Sequence, residues 1–449
     1  MKYYKWGITI TVLVSSIFIF FIPAILIAQD FEDLDFGTDS TFEVLTWNIE
    51  WFPKNGQTTV DYVSEIIQAL DIDVLAIQEV DNTDMFDQML EELTQYEGYY
   101  ESAWFAGLAY IYKTDVVEIN DMYEIYTTSP YWSPFPRSPM VMDMNFMGEN
   151  IIIINNHFKC CGDGYLNLDD SGDEETRRYI ASNLLKEYID TNFSNDNVMV
   201  LGDLNDILTD DPENNVFQMI LDDPENYLFA DMEIAEGPSS GWSYPTWPSH
   251  IDHILITNEL FDELENNASD IQTIKIDEYF DGGWYQYDQN VSDHRPVALK
   301  LQFNEELTVE YMEGWNMVGL PVITENNNYQ VQFPYAVEGT LYSYNEVYEE
   351  ETLLENGKGY WLRIETSGAN VFTGDPIPEL EIILNEEWNM ITGLTSPVQV
   401  SSIIDIENII IEGTIFGFNG GYEDADVLMP GKGYWLKANS NGIISLSYP

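Results

Sequence analysis

The first three hundred residues alternate between short apolar runs and amphipathic stretches of helical period. Phe42 to Phe52 has period two. Leu45, Trp47, Ile49 and Trp51 fall on one face, and Thr46, Asn48 and Glu50 on the other. This predicts a strand with one apolar side and one chemically equipped side. Thr58 to Leu70 carries Val63, Ile66, Ile67 and Leu70 on a helical stripe, and Asp73 to Val80 then predicts a buried strand. Met85 to Leu93 repeats the helix signal. Leu108–Lys113, Ile151–His157, Val198–Leu201, Ile251–Ile256 and Val297–Leu299 read as further strands. Asp173 to Phe193 predicts a helix with acids in its first turn, where the dipole favours them. Its expected buried stripe is Ile180, Leu184, Leu185, Tyr188 and Ile189. Buried strands mixed with helices predict an α/β domain over residues 42–303.

The polar residues that close these runs carry the candidate chemistry. Val198-Met199-Val200-Leu201 ends abruptly in Gly202-Asp203-Leu204-Asn205-Asp206. Other strands deliver Asn48 and Glu50, Glu79, His157 and Asp252 at or near their ends. The turn Ser292-Asp293-His294-Arg295-Pro296 adds Asp293 and His294, and the proline-stiffened loop Ser133–Pro139 presents Arg137. Polar groups at the mouths of buried strands cost desolvation energy and need partners. All four histidines (His157, His250, His253 and His294) lie in this domain, which favours one cluster over scattered surface positions. His253 points opposite Asp252 in a regular strand, so it and His250 read as bystanders. Carboxylates such as Glu79 and Glu50 suit the hard, oxygen-preferring ions Mg²⁺, Mn²⁺ or Ca²⁺. A histidine coupled to an aspartate suits general acid–base work. Together the set fits phosphoester cleavage.

The formal charge of −63, from 16 basic and 79 acidic residues, repels polyanions on average. A phosphate-handling site here therefore needs local positive charge, from metal ions or single arginines. Lys2 and Lys5 precede an apolar run from Gly7 to Ala28, which reads as a secretory signal peptide (residues 1–28) or an uncleaved anchor. Cleavage leaves no stable membrane insertion, and either outcome places the chain outside the cell or at its surface. Residues 29–41 read as an acidic linker. The two cysteines, Cys160 and Cys161, are adjacent and cannot staple distant segments. They form a vicinal ring, stay reduced or pair between chains, and their spacing is not that of a zinc site.

Asn48-Ile49-Glu50, Gln78-Glu79, the Arg137 loop, His157, Gly202-Asp203-Leu204-Asn205, Asp252 and Ser292-Asp293-His294 stand in a familiar order. In that order they resemble the endonuclease/exonuclease/phosphatase superfamily, the deoxyribonuclease I-like fold. The resemblance spans about Phe42 to Phe303 and implies two packed β-sheets flanked by helices, with the site at the strand ends. It implies Glu79 as principal metal ligand, Asn48 and Glu50 beside it, and Asp293 on the metal directly or through water. Asp203 and Asn205 would orient the nucleophilic water and a phosphate oxygen. His294 would pair with Asp252, His157 would contact the scissile phosphate or protonate the leaving group, and Arg137 would bind phosphate. One feature departs from the nuclease branch. There a carboxylate just ahead of the Tyr110 strand pairs with the first catalytic histidine, whereas Trp104-Phe105-Ala106-Gly107 offers none.

Past Leu307 the texture changes. Gly314-Trp315-Asn316-Met317 recurs around Trp388, Glu338-Gly339-Thr340 at Gly413, and Gly357-Lys358-Gly359-Tyr360-Trp361 at Gly431, a spacing of 73 or 74 residues. The duplication predicts two all-β repeats, 307–376 and 377–449. They are similar to Gly-Trp-Asn/Gly-Lys-Gly-Tyr-Trp repeats appended to bacterial secreted proteins. Their aromatic residues either form core or meet a glycan or cell surface. The expected function is a secreted, divalent-metal-dependent phosphodiesterase, first of all a nuclease acting on nucleic acid. A sphingomyelinase or phospholipase C type, or a phosphomonoesterase, is the alternative among enzymes. A catalytically inactive adhesion protein acting through the repeats is the alternative of another class.

Overall fold

Twelve strands build the first domain: β1 (Phe42–Phe52), β2 (Val74–Val80), β3 (Tyr96–Tyr99), β4 (Gly107–Lys113), β5 (Val117–Glu124), β6 (Met140–Phe146), β7 (Glu149–His157), β8 (Asn197–Asp203), β9 (Tyr227–Phe229), β10 (Asp252–Thr257), β11 (Asp270–Thr273) and β12 (Val297–Leu301). They form two six-stranded sheets, ordered β11-β12-β1-β2-β4-β3 and β5-β6-β7-β8-β10-β9. The pairs β1/β2 and β7/β8 are parallel, and the other pairs are antiparallel. This computed structural model describes residues 31, 33–38, 40–100, 106–324 and 326–448. The apolar N-terminal run, with the end at Ala28 expected for a signal peptide, and Trp104 lie outside the described residues. Among the described residues no helix is long and apolar enough to cross a membrane.

The central strands are apolar on both faces because both faces are covered. Val44, Ala76, Tyr110, Met142, Ile153, Leu201, Ile254 and Leu299 meet between the sheets. On the outer side of the first sheet, α1 (Gln57–Leu70) and α2 (Thr83–Glu92) pack Val63, Ile67, Leu70, Phe86 and Met89 against Trp47 and Ile77. On the outer side of the second, α3 (Glu174–Asn192) packs Ala181, Leu185 and Ile189 against Ile152, Ile154 and Val200. The result is the expected pair of sheets flanked by helices. Each fully buried aliphatic side chain contributes about 1.5–3 kcal/mol. Asp173 caps α3, accepting a hydrogen bond from the Thr176 amide at 2.8 Å.

Two details differ from the periodicity. Trp51 is 46% exposed, because Glu50 and Trp51 adopt positive φ (35° and 51°) and break the alternation. Ile180 also faces outward, and Arg178 takes a buried place on α3 instead.

A buried polar network ties the sheets together beneath the strand ends. Gln78 Nε2 donates to Asn155 Oδ1 at 2.8 Å, and Asn155 Nδ2 donates to the Ile77 and Ala109 carbonyls. The Tyr110 hydroxyl donates toward the Met140 and Ile153 carbonyls and accepts from the Asn155 amide. Every partner crosses from one sheet to the other, so this network fixes the relative position of the strand ends.

The C-terminal part holds two four-stranded antiparallel sheets. One runs Gly314–Val318, Tyr360–Ile364, Tyr342–Asn345, Val347–Glu350, and the other Glu387–Thr392, Gly433–Ala438, Phe416–Phe418, Tyr422–Asp424. Each repeat has its own apolar cluster. A third cluster belongs to both, with Met317, Met390 and Trp435 at its centre and Tyr344, Trp361, Phe416 and Phe418 around them. Single bridges Val318–Lys432 and Lys358–Ile391 join the repeats reciprocally. The duplicated units are thus packed through equivalent faces.

Candidate active site

The site forms where the ends of β1, β2, β7 and β8 meet the start of β10 and the turn before β12. The backbone is unusual at the ends of β2 and β8. Glu79 (φ 68°) and Asn205 (φ 55°) are left-handed, which turns their side chains out of the regular pleat. At Gly202 (φ 149°) a Cβ would stand 1.9 Å from the Asn156 carbonyl oxygen of the parallel neighbour. Backbone cannot yield there, so Gly202→Ala is expected to cost about 1–3 kcal/mol and to displace Asp203. A thermal melt indistinguishable from that of the unsubstituted protein would contradict this.

Asn48, Glu50, Glu79, His157, Asp203, Asn205, Asp293 and His294 line one cavity of about 320 Å³, together with Trp51, Tyr244, Ile251, Cys160 and Cys161. Asp203 is its hub. Its Oδ2 accepts from Asn48 Nδ2 at 2.9 Å and lies 3.5 Å from His157 Nε2 and 3.9 Å from His294 Nε2. Its Oδ1 accepts from the Asn205 amide at 3.1 Å. Glu79 accepts from the Trp51 amide at 3.0 Å and from Asn48 Nδ2 at 3.4 Å, and it stands 3.9 Å from His157 Nε2. Asp252 lies behind the cavity wall and holds His294 Nδ1 at 2.8 Å, so Nε2 of that ring faces the cavity. Asp293 Oδ1 is 3.8 Å from the same Nε2. Glu50 accepts from the Asp293 amide at 2.9 Å and pairs with Lys54, so one of its oxygens is already engaged.

The electrostatics follow from burial and crowding. Burial raises the Asp203 carboxyl to about 7, with Asp252 and Glu79 adding to the rise while His294 and Asn48 oppose it. Burial likewise raises Glu50 to about 7, with Lys54 opposing and Asp293 assisting. Burial works against charge on His294, yet the Asp252 and Asp203 carboxylates outweigh it and raise that imidazole to about 10. His157 is held neutral, first by burial and then by the Arg137 and His294 charges. Among the described residues its Nδ1 has no hydrogen-bond partner. Glu79, the free Glu50 oxygen and Asp293 make an oxygen donor set that a hard divalent cation fits, while Asn48 turns Nδ2 toward Glu79 and Asp203 and its Oδ1 accepts from the Glu50 amide at 3.0 Å.

Arg137 stands apart from the other expected residues. It is not among the lining residues; its Nε donates to the Ala106 carbonyl at 3.1 Å, and its charge acts on His157. His250 and His253 lie outside the cavity. His253 pairs with Asp231 at 2.6 Å, and His250 Nε2 stands 3.0 Å from the same carboxylate. The two cysteines are free and exposed, and the Cys161 thiol donates to the Cys160 sulfur at 2.9 Å.

The sequence does not mark Tyr244, Tyr287 or Arg178 as part of the site, and it marks Ser292 only as the first residue of the His294 turn. Tyr244 packs its ring 4.8 Å from that of His294. The Ser292 hydroxyl donates to the Asn48 carbonyl at 2.6 Å and accepts from the His294 amide at 2.9 Å. The Tyr287 hydroxyl, which accepts from Trp47 Nε1, donates to the His294 carbonyl. Arg178 ties the Lys159 and Cys161 carbonyls to the Asp206 carboxylate. Ser292 precedes His294 by two residues in a turn, which is a signal; the others carry none.

Comparison with known proteins gives the following. The zebrafish (D. rerio) TDP2 complexed with single-strand DNA product is 14% identical, covering 59% of this chain and 100% of that one, with a TM-score of 0.45. The human nocturnin catalytic domain with bound sulfate is 16% identical over 59% and 94%, TM-score 0.42. A mannosyl-6-phosphatase of Bacteroides thetaiotaomicron is 14% identical over 58% and 100%, TM-score 0.39. No curated protein matches. The model of the Endonuclease/Exonuclease/phosphatase family matches residues 45–294, from the middle of β1 to the imidazole that Asp252 holds. That stretch is more than half of the chain and contains every lining residue of the cavity, so the chain belongs to the endonuclease/exonuclease/phosphatase family.

Proposed function

We propose that this chain is an exported, divalent-cation-dependent phosphodiesterase, with nucleic acid as its first substrate class. One observation carries the proposal: Asn48, Glu79, His157, Asp203 and His294, drawn from five separate segments, face a single cavity. In this proposal Glu79, the free oxygen of Glu50 and Asp293 would hold the cation; Asn48 would join them through its carboxamide oxygen by releasing the Glu50 amide that this oxygen now accepts from. A bound Mg²⁺ or Mn²⁺ would polarise a phosphoryl oxygen and offset its developing charge. The chain's own groups do the rest. Asp203 and the Asn205 carboxamide orient the attacking water and a phosphate oxygen. His294, fixed through Nδ1 by Asp252, presents Nε2 for proton transfer at the phosphoryl group. Neutral His157 hydrogen-bonds the scissile phosphate through Nε2, and the Arg137 charge behind it favours an anion there.

A second reading is a small phosphoester or a phospholipid headgroup as substrate. It is favoured by the net charge of −63, which opposes docking of a long polyanion. Loops, not the central residues, decide between the two. The test is hydrolysis of bis-p-nitrophenyl phosphate, plasmid DNA, RNA, sphingomyelin and phosphoinositides, with and without Mg²⁺ or Mn²⁺ and at two salt levels. Diester hydrolysis that EDTA abolishes and either ion restores is expected. Undiminished hydrolysis in EDTA would overturn the cation's role; with p-nitrophenyl phosphate added to the panel, hydrolysis of that monoester and of no diester would overturn the diesterase assignment.

A further inference from the structure

The two repeats build a matched pair of aromatic cavities that share no lining residue with the hydrolytic site. One, of about 480 Å³, is lined by Trp315, Tyr342, Trp361, Tyr348 and Phe418. The other, of about 440 Å³, is lined by Trp388, Phe416, Trp435, Tyr422, Tyr344 and Tyr348. The lining positions correspond under the duplication: Trp315 with Trp388, Tyr342 with Phe416, Trp361 with Trp435, and Tyr344 with Phe418. Each cavity takes a Trp-Tyr/Phe-Trp set from its own repeat and borrows from the other: Phe418 enters the first cavity, and Tyr344 and Tyr348 enter the second. Phe418 reaches across to Trp361 with centroids 4.8 Å apart, and Tyr344 to Trp435 at 4.9 Å. Neither repeat alone completes its cavity. Core packing explains Trp435, which is 8% exposed; it does not explain Trp315, Trp388 and Tyr348, which are 45%, 36% and 55% exposed.

The linings select against most ligands. They consist only of aromatic side chains, so the hydroxyls of a sugar would find few hydrogen-bond partners. The mean charge disfavours anions. On the same face as the rings, each hairpin places a carboxylate across from an aromatic, Glu350 opposite Tyr342 and Asp424 opposite Phe416, while Arg363 and Lys437 stand opposite Trp315 and Trp388. Residues 307–449 hold only four basic side chains, Lys358, Arg363, Lys432 and Lys437. All three of these lysines already sit over rings: Lys432 lies 4.2 Å from the Tyr311 centroid, Lys358 5.5 Å from Tyr360, and Lys437 5.8 Å from Trp388. Electron-rich ring faces in a negative field attract a weakly hydrated cation.

We propose that these twin cavities are binding sites for quaternary ammonium groups, one per repeat, acting independently of hydrolysis. Two such sites on one rigid unit would favour surfaces that display the group in many copies.

The test is a fluorescence titration of the full chain with choline and with 3,3-dimethylbutan-1-ol, which has the same shape without the charge. Saturable quenching by choline, with the alcohol about tenfold weaker, is expected. High salt should weaken choline alone. Trp315→Ala and Trp388→Ala should each remove part of the binding, Tyr348→Ala should weaken both sites, and His294→Ala should change nothing. If the tryptophan variants misfold, Glu350→Gln with Asp424→Asn on the exposed rim should weaken choline and leave the alcohol unchanged. Equal or tighter binding of the alcohol would overturn the proposal in favour of an apolar partner. Saturation by an oligosaccharide with none by choline would overturn it in favour of a glycan.

Discussion

His294→Ala is expected to lower turnover on a phosphodiester substrate by about 10²-fold or more, equivalent to about 2.7 kcal/mol of barrier. The ring is held from three sides: Asp252 on Nδ1, Tyr287 on the backbone carbonyl, and the Tyr244 ring alongside. The atom left facing the cavity is Nε2, so the loss should fall on kcat more than on KM. Truncation also strands Asp252, a fully buried carboxylate whose Oδ1 has no partner among the described residues. Activity must therefore be compared at a temperature where circular dichroism shows both proteins folded. Asp252→Asn separates positioning from chemistry. It keeps the ring and removes the principal charge that raises its pKa. The limb of the pH–rate profile that reports His294 should then move to lower pH. A His294→Ala enzyme retaining a tenth or more of the activity would refute the assigned role, as would an Asp252→Asn profile that does not move.

Where burial dictated composition, the elements were legible in the sequence. Ile151–Ile154 and Val198–Leu201 are apolar throughout because β7 and β8 are covered on both faces. By contrast, β5 (V-E-I-N-D-M-Y-E) is an edge strand with one half-solvated side, and its polar residues hide it. Next to it, β6 alternates methionine with Val141, Asp143 and Asn145 and has a single β-branched residue, too few to mark a strand. Glu79, His157 and Asp203 were legible because each ends an apolar run abruptly. Arg178 and Asp231 were not. An arginine inside a charged helix and one more acid among 79 carry no local signal. Their partners, the loops at Lys159–Cys161 and Asp206 and the strand carrying His253, come near only in the folded chain. The aromatic cavities show the same limit. The duplication gave away the rings, but their exchange between repeats depends on how the two sheets face each other.

Asp231→Asn is expected to destabilise the protein by about 3–5 kcal/mol, the cost of stranding one member of a buried ion pair. Asp231 is fully buried; its Oδ2 stands 2.6 Å from His253 Nδ1 and 3.0 Å from His250 Nε2, and its Oδ1 accepts from the Ile254 amide. Burial opposes the carboxylate charge, but the His253 and His250 interactions outweigh it and hold this acid well below its usual range. Burial likewise opposes charge on His253, and Asp231 outweighs it, raising that imidazole. The signs define a window. The depressed carboxyl contributes stability above its unfolded value of about 3.8, and this is lost as pH falls toward the folded value. The raised imidazole contributes fully below about 6.5, and this is lost as pH rises toward its higher folded value. The deficit of the variant should therefore be widest from about pH 5 to 6.5 and narrow on both sides. His253 Nε2 also donates to the Asp206 carbonyl at 2.8 Å, and the Asp206 carboxylate is gripped by Arg178. The segment carrying Asp203 and Asn205 is anchored by this pair, so folded Asp231→Asn should also lose activity. Urea unfolding at pH 4, 6 and 9 measures the window. A deficit below 1 kcal/mol at pH 6, or one that does not vary with pH, would show that the pair does not hold this segment.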